Sequence, residues 1–239
     1  MTEDELKHRV TVPLSGPPIG EVHLYAPSDW LDILEDPKDE EAAQARFEEL
    51  ARLTFPGHTP DVQQAVAAGV MNTRRIFLAD GMLSCGLVAL PRTEDGPVLW
   101  EICSGVVELG TLEANLDSGT VLARFLGEEL TDGDAYIESF PTKLGAGVGL
   151  ISKPQLFPDG SVALAPASTR TDDDGGAAPV TTLGLAVGLA IPPGGGHSLL
   201  VIGQCLDPGQ VNELAGIIAL IAGNSTIEVY AQQEARINT

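Results

Sequence analysis

The segment 180–222, VTTLGLAVGLAIPPGGGHSLLVIGQCLDPGQVNELAGIIALIA, decides the fold. Val180 to Ile191 is a nearly unbroken apolar run. Such a run suits a strand covered on both faces, because a strand with one wet face alternates. Pro192 ends it, since proline lacks the N–H a ladder needs. Pro193-Gly194-Gly195-Gly196 supplies the turn, glycine accepting positive φ without steric cost. Leu199 to Gly203 reads as the return strand. Asp207 is typed for a helix N-cap, with Pro208 at the first helical position. Val211, Leu214, Ile217, Ile218 and Ile221 then recur at helical spacing as one apolar stripe, and Gly223-Asn224 is the expected stop. Burying five such side chains contributes on the order of 10 kcal/mol before chain entropy is subtracted. The stripe needs an apolar partner, and the two preceding strands offer one.

Upstream, Lys7–Pro13 and Glu21–Tyr25 are rich in β-formers around a Ser-Gly-Pro-Pro turn and predict an N-terminal hairpin. Trp30–Leu34 is a short amphipathic patch. Pro37–Leu53 predicts a helix with Ala43, Phe47, Leu50 and Leu53 inward. Thr59-Pro60-Asp61 opens a second helix with cap, proline and an acid at the positive end of its dipole; its expected stripe is Val62, Val66, Gly69, Val70, Thr73 and Phe77. Met82–Pro91 and Val98–Leu109 form another hairpin, and Asp117-Ser118 caps a helix to residue 130. Ala135–Phe140 and Gly147–Ile151 are strands, and Thr226–Tyr230 is a further edge strand. Residues 87–91 and 188–192 both end a strand in proline and lead through six turn residues to a second strand and a helix. This echo permits a two-fold pseudo-repeat.

The expected architecture is α+β: a mainly antiparallel sheet covered by helices, an α/β/α sandwich. One unit spans 1–239. Residues 7–153 form a first sheet-and-helix part, 154–179 an exposed acidic, Pro- and Gly-containing loop, and 180–232 the C-terminal hairpin, helix and tail strand.

The 239 residues carry 13 Lys and Arg against 34 Asp and Glu, a net charge of −21. So acidic a surface repels phosphate backbones and anionic lipid, which excludes nucleic acid and membrane surfaces as partners. No apolar run has the length of a membrane span, and the acidic start is not a signal peptide. Cys85, Cys103 and Cys205 lie in apolar strand-like surroundings without C-x-x-C spacing and read as core residues of a reducing, cytoplasmic compartment.

The candidate chemistry is thin. Gly194-Gly195-Gly196-His197 is followed by a strand and has no lysine, so it is a hairpin turn and not a phosphate cradle. Asp172, Asp173 and Asp174 lack the alternation, central glycine and distal glutamate of a calcium loop. They are the residues best placed to meet a partner from the exposed loop. His8, His23, His58 and His197 are scattered and pair with no cysteine at zinc spacing. Arg74-Arg75 reads as a solvated face or a partner for nearby acids. No catalytic, cofactor-binding or metal-binding residue is assigned.

The ending VGLAIPPGGGHSLLVIGQCLDPGQVNELAGIIALIAG, with its Ile221-Ala222 pair, together with Ala26-Pro27-Ser28-Asp29-Trp30, resembles a group of actinobacterial proteins with a PsbP-like α/β/α sandwich layout. The resemblance implies a binding scaffold and carries over no catalytic residues. The leading functional expectation is therefore a non-enzymatic accessory protein that meets another protein, one with a basic surface being compatible. A link to a specialised bacterial secretion machinery is an association only. A small-molecule binder or enzyme with a site assembled from scattered residues is the second reading, and a homo-oligomer paired through an edge strand the third.

Overall fold

The computed structural model describes residues 7–12, 20–26, 30–34, 39–90, 98–111, 120–122, 135–156, 162–163 and 181–229. The strands are β1 (Lys7–Val12), β2 (Gly20–Tyr25), β3 (Leu31–Asp32), β4 (Ser84–Leu90), β5 (Val98–Thr111), β6 (Tyr136–Pro141), β7 (Ala146–Ser152), β8 (Gln155–Leu156), β9 (Val162–Ala163), β10 (Thr181–Thr182), β11 (Gly184–Ile191), β12 (Gly195–Cys205) and β13 (Thr226–Val229). The helices are α1 (Glu40–Thr54), α2 (Pro60–Ala79) and α3 (Val211–Asn224), with a helical turn at 120–122.

A seven-stranded sheet in the order β3-β4-β5-β12-β11-β7-β6 runs through the molecule, antiparallel at every step. Alternation along the strands sends side chains to two different cores. Ile102, Ala186, Ala190, Leu199 and Val201 point to one face, where α3 lies with Val22 and Leu24 of β2. Cys85 and Cys103 point to the other, under α1 and α2. Val187, Leu189 and Leu200 share that second face with Val121 and Leu122. Both faces are thus covered, and the unbroken apolar character of 184–191 follows. The fold is the expected α+β sandwich.

Helix α3 sinks into a trough of small residues. A Cβ at Gly203 would stand 2.8 Å from Ile218 Cδ1 and 2.9 Å from Leu214 Cδ1, and one at Gly188 would stand 2.8 Å from Ile218 Cγ2. Val211, Leu214, Ile218, Ile221 and Ala222 are buried, while Ile217 is half-exposed, so the stripe is one position narrower than its sequence suggests. Asp207 does cap, accepting from Gly209 N–H at 2.8 Å, but it starts a 3-10 turn, Pro208–Gln210, before α3. The helix also runs through Gly223 and Asn224, ending where Ser225 Oγ donates to Ile221 O at 2.7 Å.

The triple glycine closes the β11–β12 hairpin sooner than expected. Gly194, Gly195 and Gly196 all have positive φ, near 83°, 89° and 90°, and Gly195 N–H returns to Pro192 O at 3.0 Å. Strand β12 therefore begins at Gly195 rather than Leu199, with a register shift against β5 between Gly195 and His197. The echo holds for the order of strand, turn and strand, while most of the helix it expects at 117–130 lies outside the described residues.

The expected N-terminal hairpin forms, Lys7 opposite Tyr25 and Val12 opposite Gly20, and joins β13 in a separate three-stranded sheet, β1-β2-β13. Trp30–Leu34 places β3 at the edge of the main sheet, with the Trp30 indole seated over Gly86 where a Cβ would stand. Helix α1 begins at Glu40, capped by Asp39 Oδ1 from Ala42 N–H at 2.7 Å; Leu53 is 62 % exposed, contrary to its inward assignment. In α2 the buried positions are Ala67, Met71 and Arg74, with Val66, Val70 and Phe77 beside them; Val62 is exposed. The 92–97 turn, most of the 117–130 helix and nearly all of the 154–179 loop lie outside the described residues.

Candidate functional site

The α1–α2 pair does not close on the sheet along its whole length. Between them lies a cavity of about 620 Å³. Helix α1 contributes Phe47, Leu50, Ala51 and Thr54, with Phe55 just past its end; α2 contributes Val66 and Val70. The sheet side is Leu31, Leu87, Trp100, Glu101, Gln204 and Cys205, and Leu183 and Leu206 complete the wall. Phe55 is fixed from two sides: Gln63 Nε2 donates to its carbonyl at 2.8 Å, and its ring meets His58 edge-on at 5.6 Å. Arg75 binds both Glu40 oxygens, at 2.9 and 3.0 Å, and ties α2 to the start of α1. That guanidinium holds the Glu40 carboxyl below its usual range, through its hydrogen bonds first and its charge second.

The wall is mostly apolar, and its polar groups are held by one another. Gln204 Nε2 donates to Glu101 Oε2 at 2.8 Å across the β5–β12 pair. Trp100 Nε1 donates to Gln210 Oε1 at 2.9 Å. Cys205 Sγ donates to Asp207 O at 3.2 Å, and burial raises its thiol above the ordinary range.

Beside this wall, Glu101 reaches the two other cysteines. Cys85 and Cys103 are direct cross-strand partners, with Sγ atoms 3.3 Å apart. The Cys85 backbone turns away from β5: its N–H donates to Asp32 Oδ1 at 3.1 Å and its carbonyl accepts from Ile33 N–H at 2.8 Å. The pair is thus a non-hydrogen-bonded one, in which facing side chains come closest. Glu101 Oε1 lies 3.9 Å from Cys85 Sγ and 3.8 Å from Cys103 Sγ. Contact with Cys103, then burial, then the charges of Cys103, Glu101 and Asp32 push the Cys85 thiol far above its ordinary range. Cys85 therefore rests as a neutral thiol, a poor nucleophile.

Asp172, Asp173 and Asp174 lie outside the described residues. His23 of β2 sits near Glu21 and Glu228, at 3.9 and 3.6 Å, while His58 and His197 join no such group. The arginine pair divides: Arg75 is exposed and paired as expected, but Arg74 is 8 % exposed, its Nε without a partner among the described residues. Linear spacing hid the cysteine pair, because 18 residues and a hairpin separate its members. The signal was the hairpin register: counted inward from Leu90↔Val98, Cys85 meets Cys103.

No family model and no curated protein sequence matches the chain. Among solved structures it is similar to LpqN, described as involved in cell envelope biogenesis of Mycobacterium tuberculosis, at 11 % identity and a TM-score of 0.37, over 93 % of this chain and 91 % of that one. That neighbour comes from an actinobacterium, but a likeness of this extent carries no argument about fold or function.

Proposed function

We propose that this protein is a non-enzymatic accessory protein that works by binding, and that the cavity between α1–α2 and the sheet holds a neutral, elongated apolar guest. The observation that supports this reading is the cavity itself. Its volume, about 620 Å³, lies in the range of small-molecule sites, and its lining is dominated by Leu, Val and Phe residues. Glu101 disfavours a guest with an anionic head, because a second negative charge beside a half-buried carboxylate is repelled. The test is titration of the full chain with a neutral solvatochromic dye and with its carboxylate-bearing counterpart. Saturable one-to-one binding of the neutral dye, weaker binding of the anion and weakened binding of both in Leu50→Trp, which narrows the cavity, are expected. Absence of saturable binding, or binding unchanged by Leu50→Trp, would sink the reading.

A second reading keeps the same cavity and replaces the small guest with an apolar segment of a partner protein. Leu206, on the wall, is 63 % exposed, which gives the cavity an apolar lip at the surface. A link to a secretion machinery and a PsbP-like layout would go with this reading.

A further inference from the structure

We propose that Cys85, Cys103 and Glu101 form a binding site for one thiophilic divalent cation of the zinc class. The proposal does not depend on what occupies the cavity. Three donor atoms converge here: Cys85 Sγ and Cys103 Sγ are 3.3 Å apart, and one carboxylate oxygen, Glu101 Oε1, is 3.9 and 3.8 Å from them. A triangle with those edges lets a single ion sit about 2.2 Å from all three corners without moving a side chain, which is the reach of Zn–S and Zn–O bonds. Two sulfurs and an oxygen suit zinc and exclude magnesium and calcium, which take oxygen ligands.

The surroundings support a ligand set rather than a chance meeting of core thiols. Sheet register places Cys85 directly opposite Cys103 on adjacent strands, which keeps their Cβ atoms side by side. The other oxygen of Glu101 is held by Gln204 Nε2 at 2.8 Å, the kind of outer hydrogen bond that aims a ligating carboxylate. No Lys, Arg or His side chain pairs with the half-buried Glu101 carboxylate among the described residues. Glu101 also lines the cavity, which gives an ion a route in from solvent. Binding would exchange water ligands of the hydrated ion for two metal–sulfur bonds and one metal–oxygen bond, break the S–H bonds and release those protons and the displaced waters to solvent; no electron changes hands. Three protein ligands leave a position for water.

The experiment uses the full chain, reduced and stripped with a chelator, then titrated with cobalt(II) and back-titrated with zinc(II). One equivalent of cobalt should give an intense thiolate-to-cobalt charge-transfer band, and zinc should abolish it. Cys103→Ser should remove the band and Cys205→Ser should keep it. Glu101→Gln, at a half-exposed position that does not threaten folding, should keep a sulfur band and weaken binding about 10-fold or more. No band in the wild type, an unchanged band in Cys103→Ser, or unchanged affinity in Glu101→Gln would overturn the proposal. So would conversion of the pair to a disulfide by oxidised glutathione at the same rate with and without bound zinc.

Discussion

Helix α3 and the α1–α2 pair meet opposite faces of one sheet under different rules. On the α3 side the strands present Ala186, Gly188, Ala190 and Gly203, and the helix drops until Ile218 and Leu214 fill the space that side chains would take. On the other side Leu87, Glu101 and Gln204 stand up from the strands, and the helices rest on a rim that leaves about 620 Å³ between. Close packing stabilises, and an unfilled space forfeits contacts on its lining. The difference suggests a division of labour: the α3 face specifies the fold, and the α1–α2 face keeps room for a guest.

Deletions on the two faces sharpen that contrast most. Leu214→Ala and Ile218→Ala remove fully buried side chains from a filled core and should each cost about 2–5 kcal/mol in denaturant unfolding. Leu50→Ala removes a half-buried side chain from the edge of an existing cavity, so its cost should stay near 1 kcal/mol. Equal losses would break the comparison. Gly203→Ala comes next: a methyl group 2.8 Å from Ile218 overpacks the trough and should destabilise by about 1–3 kcal/mol. Gly194→Ala tests the turn alone, since a Cβ there meets nothing within 4 Å while its φ of 83° is foreign to an L side chain, and a loss of about 1–2 kcal/mol is expected.

The smallest effect belongs to the surface. Glu40→Gln should lower the melting temperature less than any of these variants, and the difference should shrink in high salt, because the Arg75 pair is exposed. The lowered pKa of Glu40 fixes the sign with pH. Its contribution is complete above the usual value of 4.5 and fades as acid takes the solution down through the lowered one. Wild type and Glu40→Gln should therefore converge in acid melts.

Much of the scaffold was legible because it is written in local periodicity. The α3 stripe, the Asp207 cap, the β11–β12 hairpin and the strand at 226–229 are each set by residues a few positions apart. Where local reading failed, the tertiary surroundings decided otherwise. Leu53 looked inward by spacing, but no surface meets it. Arg74 looked solvated by type, yet α2 turns it toward Met71 and the core side of the helix.

The sequence by itself determined the class, α+β with strand hairpins and helices in this order, together with an acidic surface and the absence of a catalytic motif. Those properties depend on composition and on spacings of two, three and four residues. Only the tertiary structure decided that β5 lies beside β12, that the helices leave a cavity, and that Glu101 meets Cys85 and Cys103. These depend on strand order and on how far each helix stands from the sheet, which the summed packing of distant side chains fixes and no local spacing encodes.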